Sequence, residues 1–159
     1  MKEVIINIVF ISFCFVGSGV SIASEGIPSD IHTPKDLVKW LSSEFQYRLE
    51  MPDKWQAPEE TIYLKRGDCE DFAILTSEFL AGKGISSHIV VINFKGLSAR
   101  HAICIWKEEN GTYSFTTNRK LRRTGSYSLP SAVEKFYPDW KMITFTDRNK
   151  KHLRVIKRI

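Results

Sequence analysis

The stretch from residue 66 to residue 75, Arg-Gly-Asp-Cys-Glu-Asp-Phe-Ala-Ile-Leu, constrains the fold more than any other part of the chain. Gly67 is expected to end a loop, and Asp68 to cap a helix whose first turn contains Cys69. A helix N-terminus carries unpaired N–H groups and a partial positive charge, so a thiol there ionises more easily. The apolar residues that follow would hold this helix against a core. The stretch therefore has the arrangement of a cysteine nucleophile.

The N-terminal residues 1–23 have the features of a cleavable signal peptide. Lys2 precedes an apolar run over residues 4–16, and small residues at positions 21 and 23 fit a signal-peptidase site. The run is short for a membrane span, so we favour a cleaved signal peptide; a retained N-terminal anchor is the alternative interpretation. We expect an exported chain, periplasmic or secreted, in which residues 24–33 form a flexible lead-in.

Removal of this leader would leave two cysteines, Cys69 and Cys104, in the exported chain. In an oxidising compartment these two residues can form a disulfide, which is the structural alternative to a reactive thiol. We favour free thiols, because Cys69 has a chemical context and Cys104 lies in an apolar strand pattern.

Helical signals dominate the first half of the domain predicted over residues 34–147. Thr-Pro-Lys-Asp from residue 33 is typical of a helix start, and an apolar stripe predicts a helix over residues 34–49. One short helical turn is expected to end near Leu64. The cysteine-bearing helix is then expected to end at Gly82 or Gly84.

Strand signals dominate the second half. Predicted strands rich in β-branched residues cover residues 87–94, 99–106, 112–117 and 141–146. A short helix is expected over residues 130–137, and residues 153–156 would add an edge strand. Short loops between the strands imply an antiparallel arrangement. The predicted fold class is therefore α+β, with the nucleophile helix packed on an antiparallel sheet of about four strands.

Two polar residues of the predicted strands are candidate partners of Cys69. Strand alternation directs His101 and Cys104 to opposite faces. With a turn at Asn-Gly 110–111, the numbers of facing residues sum to about 221, which brings His101 within two residues of Asn118. The oxygen of Asn118 would then orient the imidazole, as in a cysteine–histidine–orienter triad. Taken singly, the histidine also fits a structural strand residue and Asn118 a turn residue.

Three sequence patterns resemble those of bacterial transglutaminase-like cysteine peptidases, the group of LapG-type periplasmic proteases within the papain-like transglutaminase superfamily. The patterns are Trp-Gln-Ala-Pro-Glu-Glu-Thr from residue 55, Arg-Gly-Asp-Cys-Glu-Asp-Phe-Ala from residue 66 and His-Ala from residue 101. The resemblance extends over about residues 35–125. It implies a papain-like, transglutaminase-like core with Cys69 as nucleophile, His101 as base and Asn118 as third member. The family's third member is an aspartate, and asparagine lacks the charge that would stabilise an imidazolium.

The resemblance also implies calcium, which LapG-type members bind through acids beside the nucleophile. The corresponding residues are Asp68 and Glu70, together with Asp71. Three carboxylates near a thiol oppose its ionisation, and a divalent cation on their oxygens would reverse this effect. In the alternative reading these acids only cap the helix and complement its dipole. Trp55 likewise has two readings, as a wall of the substrate cleft or as a core aromatic.

The function predicted from these residues is that of an exported cysteine peptidase, which cleaves a protein substrate through a Cys-His-Asn triad and an acyl-enzyme. A transglutaminase or amidase would use the same triad. A non-catalytic domain that binds a peptide or protein is the alternative from a different class. The net charge is +5, and a basic tail over residues 148–159 is expected to contact an anionic membrane or cell wall. Nucleic-acid binding is not expected, because no recognition motif is present.

Overall fold

The computed structural model describes residues 26–147 and 151–158, so the predicted signal peptide over residues 1–23 lies outside the described residues. The described helices are α1 (Pro34–Glu44), α2 (Pro58–Leu64), α3 (Cys69–Gly82) and α4 (Leu129–Glu134). Among them, none combines the length and the apolar character that crossing a membrane requires.

A six-stranded antiparallel sheet forms the centre of the fold. Its strands are β3 (Ser87–Phe94), β4 (Arg100–Lys107), β5 (Tyr113–Thr117), β6 (Lys120–Arg123), β7 (Trp140–Thr146) and β8 (His152–Lys157). They lie in the order β6-β5-β4-β3-β7-β8, and every neighbouring pair is antiparallel. Two short strands, β1 (Gln46–Tyr47) and β2 (Arg66–Gly67), pair in parallel beside it. The predicted α+β class is confirmed, but the sheet has six strands rather than about four.

Strands β6 and β8 account for the difference, since they form the two edges of the sheet. An edge strand has little buried face, and alternation is visible in a sequence only where one face is buried. Three of the four residues of β6 are exposed, as are five of the six residues of β8. Strand β8 lies in the segment predicted as a basic tail and pairs with β7, as the apolar residues at 153–156 indicated.

Helix α1 begins as the sequence predicts and ends earlier. The Asp36 N–H donates to the Thr33 hydroxyl, and the Asp36 carboxylate accepts the Thr33 N–H. The helix ends at Glu44 rather than near residue 49, because the chain from Gln46 onward pairs with β2. Leu49, a member of the predicted apolar stripe, is 71% exposed. The pairing of β1 with β2 thus replaces the last predicted turn of the helix, and a helical sequence pattern does not reveal such a tertiary contact.

Two hydrophobic cores lie on opposite faces of the six-stranded sheet. Helices α1 and α3 pack on the face of β4 that carries Ala102 and Cys104. Helix α4 packs on the face that carries Ile103 and Ile105. Cys104 is fully buried in the first core and, like Cys69, is a free thiol. The predicted alternation of β4 therefore separates the two cores.

Candidate active site

Cys69 begins α3 at the place where the sequence predicts a helix start. It borders a cleft of about 490 Å³, and 9% of its surface is exposed. The cleft lies between the start of α3, the loop after β1 and residues of strands β3, β4, β7 and β8. Its lining includes Tyr47, Glu50, Asp53, Trp55, Asp68, Cys69, Glu70, Arg100, His101, Thr144 and His152. The Cys69 thiol donates a hydrogen bond to Glu70 Oε2 over 3.1 Å.

Asp71 holds two backbone segments next to Cys69, one at Asp68 and one at Gln56. Its Oδ2 atom accepts the Asp68 N–H at 2.9 Å, and its Oδ1 atom accepts the Gln56 N–H at 2.8 Å. The carboxyl is fully buried, and burial raises its pKa to about 6. A Cβ atom at position 67 would lie 2.8 Å from the Asp71 side chain. Gly67 therefore leaves the space that this carboxylate needs in order to hold the two loops.

Asp68 and Glu70 border the cleft together with the thiol. One ligand atom from each of Asp68, Cys69 and Glu70 lies within 4.8 Å of the other two. The Asp68 Oδ1 atom is buried and has no hydrogen-bond partner among the described residues. Burial and a hydrogen bond with the Asp68 carboxyl raise the pKa of Glu70 to about 8. These two acids thus form a crowded carboxylate pair in which the ionised form of Glu70 is disfavoured.

The same surroundings oppose ionisation of the Cys69 thiol. Burial raises the pKa of the Cys69 thiol to about 12, while a hydrogen bond with the Ala102 backbone lowers it. The hydrogen bond to Glu70 and the charges of Glu70 and Asp68 raise the pKa further. These effects outweigh the help expected from the helix N-terminus. A positive charge bound at the two carboxylates would favour the thiolate.

The carboxylate pair fits a hard divalent cation such as calcium, which prefers carboxylate oxygens. A cation there would pair with the buried Oδ1 atom of Asp68 and favour the ionised form of Glu70. Asp71, the third predicted ligand, already accepts a backbone N–H at each of its oxygens. The donor chemistry therefore favours Asp68 and Glu70, with Asp71 as their support.

His101 is the second residue of β4 and borders the same cleft as Cys69. Its Nε2 atom lies 2.7 Å from the Thr117 hydroxyl oxygen. That oxygen also accepts the Tyr137 O–H at 2.9 Å. The His101 and Tyr137 ring centroids are 5.5 Å apart. Burial lowers the pKa of His101, so the neutral imidazole is the favoured form near neutral pH.

Asn118, the predicted orienter, lies in the turn between β5 and β6 with a φ of 49°. Its Oδ1 atom is buried and has no hydrogen-bond partner among the described residues. The numbers of facing residues in β4 and β5 sum to 220, as in the pair Ile103 and Thr117. Facing residues share a side of the sheet, and alternation puts His101 on the side of Ile103. Strand alternation and the hairpin register, which are both visible in the sequence, therefore place Thr117 on the same side of the sheet as His101. They were the sequence signal for this contact.

A sequence profile described as a transglutaminase-like domain matches residues 25–144 of the chain. The chain belongs to this family. The resemblance inferred from the three sequence patterns is confirmed by this match. A search of the curated proteins finds no match to this transglutaminase-like domain.

Solved structures of LapG from Legionella pneumophila resemble this transglutaminase-like domain. The EGTA-treated form has a TM-score of 0.51 and 17% sequence identity, over 75% of this chain and 68% of LapG. The calcium-bound form has a TM-score of 0.47 and 23% identity, over 66% of this chain and 60% of LapG. The matched part thus spans about three-fifths of that chain. The likeness to the EGTA-treated form supports the shared fold.

The cleft of the transglutaminase-like domain also contains residues that no sequence motif indicated. Tyr47 and Glu50 reach it through the pairing of β1 with β2, which interrupts the predicted helix. Burial and the nearby Cys69 raise the pKa of Tyr47 to about 12. Trp55 borders the cleft and also packs against the core of α1 and α3, so it has features of both readings. The walls of the cleft depend on tertiary pairing, whereas the position of Cys69 depends on a local helix start.

Proposed function

We propose that this transglutaminase-like domain is an exported cysteine peptidase that hydrolyses a peptide bond in a protein substrate. One observation carries the proposal: Cys69, at the N-terminus of α3, and His101, at the start of β4, border one cleft. A thiol and an imidazole that share a cleft are the two groups that acyl transfer through a thioester requires.

The reaction begins when His101 takes the thiol proton and the Cys69 sulfur attacks the substrate carbonyl carbon. Backbone N–H groups at the start of α3, including that of Cys69, stabilise the oxyanion. His101 then gives its proton to the leaving amine, and the C–N bond breaks to leave a thioester. Water loses a proton to His101 and attacks this thioester, which releases the acid product and restores the thiol.

Replacing Cys69 with Ala tests the proposal directly. Cells that produce the variant should lack a set of protein fragments that wild-type cells contain, as measured by proteomic analysis of neo-N-termini. Cys104→Ala is the matched control, because Cys104 is a buried thiol in the core and does not border the cleft. Identical fragment patterns for Cys69→Ala and wild type would refute the peptidase proposal.

Calcium held by Asp68 and Glu70 is the proposed cofactor. LapG is known in calcium-bound and EGTA-treated forms. In this chain a bound cation would supply positive charge beside the thiol and lower the pKa of Cys69. Asp71 would keep Asp68 in place through the Asp68 backbone N–H.

Alkylation of Cys69 by iodoacetamide tests the cofactor proposal. Calcium should accelerate alkylation by about tenfold or more, since one unit of thiol pKa changes the thiolate fraction tenfold. Glu70→Gln should abolish this calcium effect, whereas the control Glu59→Gln, at an exposed acid of α2, should retain it. Equal alkylation rates with calcium and with EGTA in the wild type would contradict the proposal.

The raised pKa of Cys69 favours a second candidate, a non-catalytic domain that binds a peptide in the cleft. For such a domain, iodoacetamide would alkylate Cys69 no faster than free cysteine at neutral pH, even with calcium present. A peptide captured by the wild-type cleft would bind equally well to the Cys69→Ala variant. A transamidase would instead join a primary-amine probe to the acyl group. Adding such a probe to the fragment assay separates hydrolysis from transamidation.

Export and surface contact complete the proposal. A signal peptide over residues 1–23 would be removed, so N-terminal sequencing of the periplasmic protein should begin at Ser24. A retained N-terminus would support the membrane-anchor alternative. The basic C-terminal segment, which includes edge strand β8, would contact an anionic membrane or cell wall.

A further inference from the structure

The His101 imidazole is held from the α4 side of the sheet by two successive hydrogen bonds. The bond between His101 Nε2 and Thr117 Oγ1 is 2.7 Å long, and the bond from Tyr137 to the same oxygen is 2.9 Å long. Both bonds are partly buried, so competition from water is reduced. Thr117 is the last residue of β5, and Tyr137 packs in the core beneath α4.

The position that the family pattern gives to an acid is held by Asn118, whose surroundings differ from those of Thr117. The β5 strand ends before Asn118, and the left-handed backbone there departs from the strand. The buried Asn118 oxygen has no hydrogen-bond partner among the described residues. The next residue towards the N-terminus is the one that contacts the imidazole.

We propose that Thr117, held in place by Tyr137, is the positioning residue of His101. The proposal rests on the proposed peptidase function, because it concerns the histidine of that reaction. It replaces an expected amide–imidazole contact by a hydroxyl–imidazole contact from the neighbouring residue.

The chemistry of a hydroxyl suits this role. A hydroxyl oxygen has two lone pairs, and the Tyr137 O–H occupies one of them. The second lone pair can accept the His101 Nε2–H, which leaves the lone pair of the neutral ring on Nδ1. Nδ1 is then the nitrogen with a free lone pair that can take the Cys69 proton in the proposed reaction. Thr117 carries no charge, so it orients the ring without the stabilisation that a carboxylate would give an imidazolium.

Nitrogen NMR of the histidine rings tests this assignment. The chain contains four histidines, and a His101→Gln variant identifies the His101 resonances by their loss. Thr117→Val, which keeps the shape and removes the hydroxyl, should shift the His101 Nε2 resonance. Thr117→Ser should restore it, and Tyr137→Phe should shift it less. Thr116→Val is the matched control, since the buried Thr116 hydroxyl has no hydrogen-bond partner among the described residues.

Kinetics supply the second measurement. The substrate is a peptide that spans a cleavage site found in the fragment assay. For its hydrolysis, Thr117→Val should lower kcat about tenfold with KM little changed, as expected for the loss of one orienting hydrogen bond. Thr117→Ser should recover most of the rate. A thermal melt of each variant shows whether it folds. If Thr117→Val does not fold, the Thr117→Ser and Tyr137→Phe variants carry the test.

The proposal is overturned if Thr117→Val leaves the His101 resonances unchanged, or if Asn118→Ala shifts them and Thr117→Val does not. A wild-type protein that cleaves nothing, but whose His101 signals depend on Thr117, would refute the peptidase function and leave the hydrogen-bond assignment standing. A protein that cleaves its substrate, but whose His101 resonances are unaffected by Thr117→Val, would support the peptidase function and refute the role of Thr117. The two failures are therefore distinguishable.

Discussion

Gly67→Ala should be among the most damaging small substitutions in the chain. The new Cβ atom would lie 2.8 Å from two atoms of Asp71, the Cβ atom and Oδ2. Carbon atoms in good contact are about 3.5–4.0 Å apart, so both approaches are strongly repulsive. Because one of the two atoms is itself a Cβ, no rotation of the Asp71 side chain removes the contact. The backbone of Gly67 or of α3 must move.

The energetic cost has two parts. Forcing an extra carbon into a packed site costs roughly 1–3 kcal/mol. Movement of the Asp71 carboxylate would also weaken its bond to the Asp68 N–H, and a hydrogen bond to a charged group contributes about 1.5–3 kcal/mol. We therefore expect the free energy of unfolding to fall by about 2–5 kcal/mol, out of the roughly 5–15 kcal/mol typical of a domain. The melting temperature would fall by roughly 8–20 °C.

Gly82→Ala is the matched control, because Gly82 ends the same helix and a Cβ atom there would have no atom within 4 Å. That change should leave stability unchanged or raise it by up to about 1 kcal/mol. Urea titration and thermal melts of both variants measure the difference. If the free energy of unfolding of Gly67→Ala is within about 0.5 kcal/mol of the wild-type value, the proposed packing of Gly67 against Asp71 is refuted.

Three further predictions concern other parts of the molecule. Arg119→Lys should lower the free energy of unfolding by about 1–2 kcal/mol, because Arg119 Nη1 donates to the Phe45 carbonyl; an unchanged urea midpoint would contradict this. Asn118→Gly should raise stability by up to about 1 kcal/mol in a thermal melt, because glycine adopts the left-handed backbone at this position (φ 49°) without the strain that a side chain adds; a lower melting temperature would count against it. In EGTA, alkylation of Cys69 should accelerate about tenfold per pH unit from about pH 7 to about pH 10, because burial raises the pKa of the thiol to about 12; a plateau near about pH 8.5 would exclude this.

Helix α3, which has a buried face, was predictable from the sequence, and so was the largely exposed edge strand β8, whose apolar residues indicated it; edge strand β6 was not. The start of α3 is marked by a local capping pattern and by apolar residues, and both features act within a few residues. Strand β6 exposes most of its side chains and forms through its hairpin with β5, so its four residues show no buried period. The end of α1 depends on pairing with β2, about twenty residues further along the chain.

The same distinction applies to the candidate site. Cys69 and the acids around it stand in one short segment, and their neighbourhood follows from a helix start. Bringing Thr117 to His101 required the correct hairpin register, and a difference of one residue changes which side chain faces the ring. The contact of Tyr137 with Thr117 depends on how the segment after α4 packs on the sheet, which no local pattern specifies.

The two hydrogen bonds accepted by Asp71 have a consequence for how this domain can diverge. They join the backbone at Gln56 and at Asp68, so one side chain fixes both ends of the segment that contains α2. The exposed face of α2 takes no part in these bonds, so substituted side chains there, as at the 85% exposed Tyr63, should leave the surroundings of Cys69 undisturbed. New contacts with a substrate or partner can therefore evolve, or be engineered, on this segment while the candidate site stays unchanged.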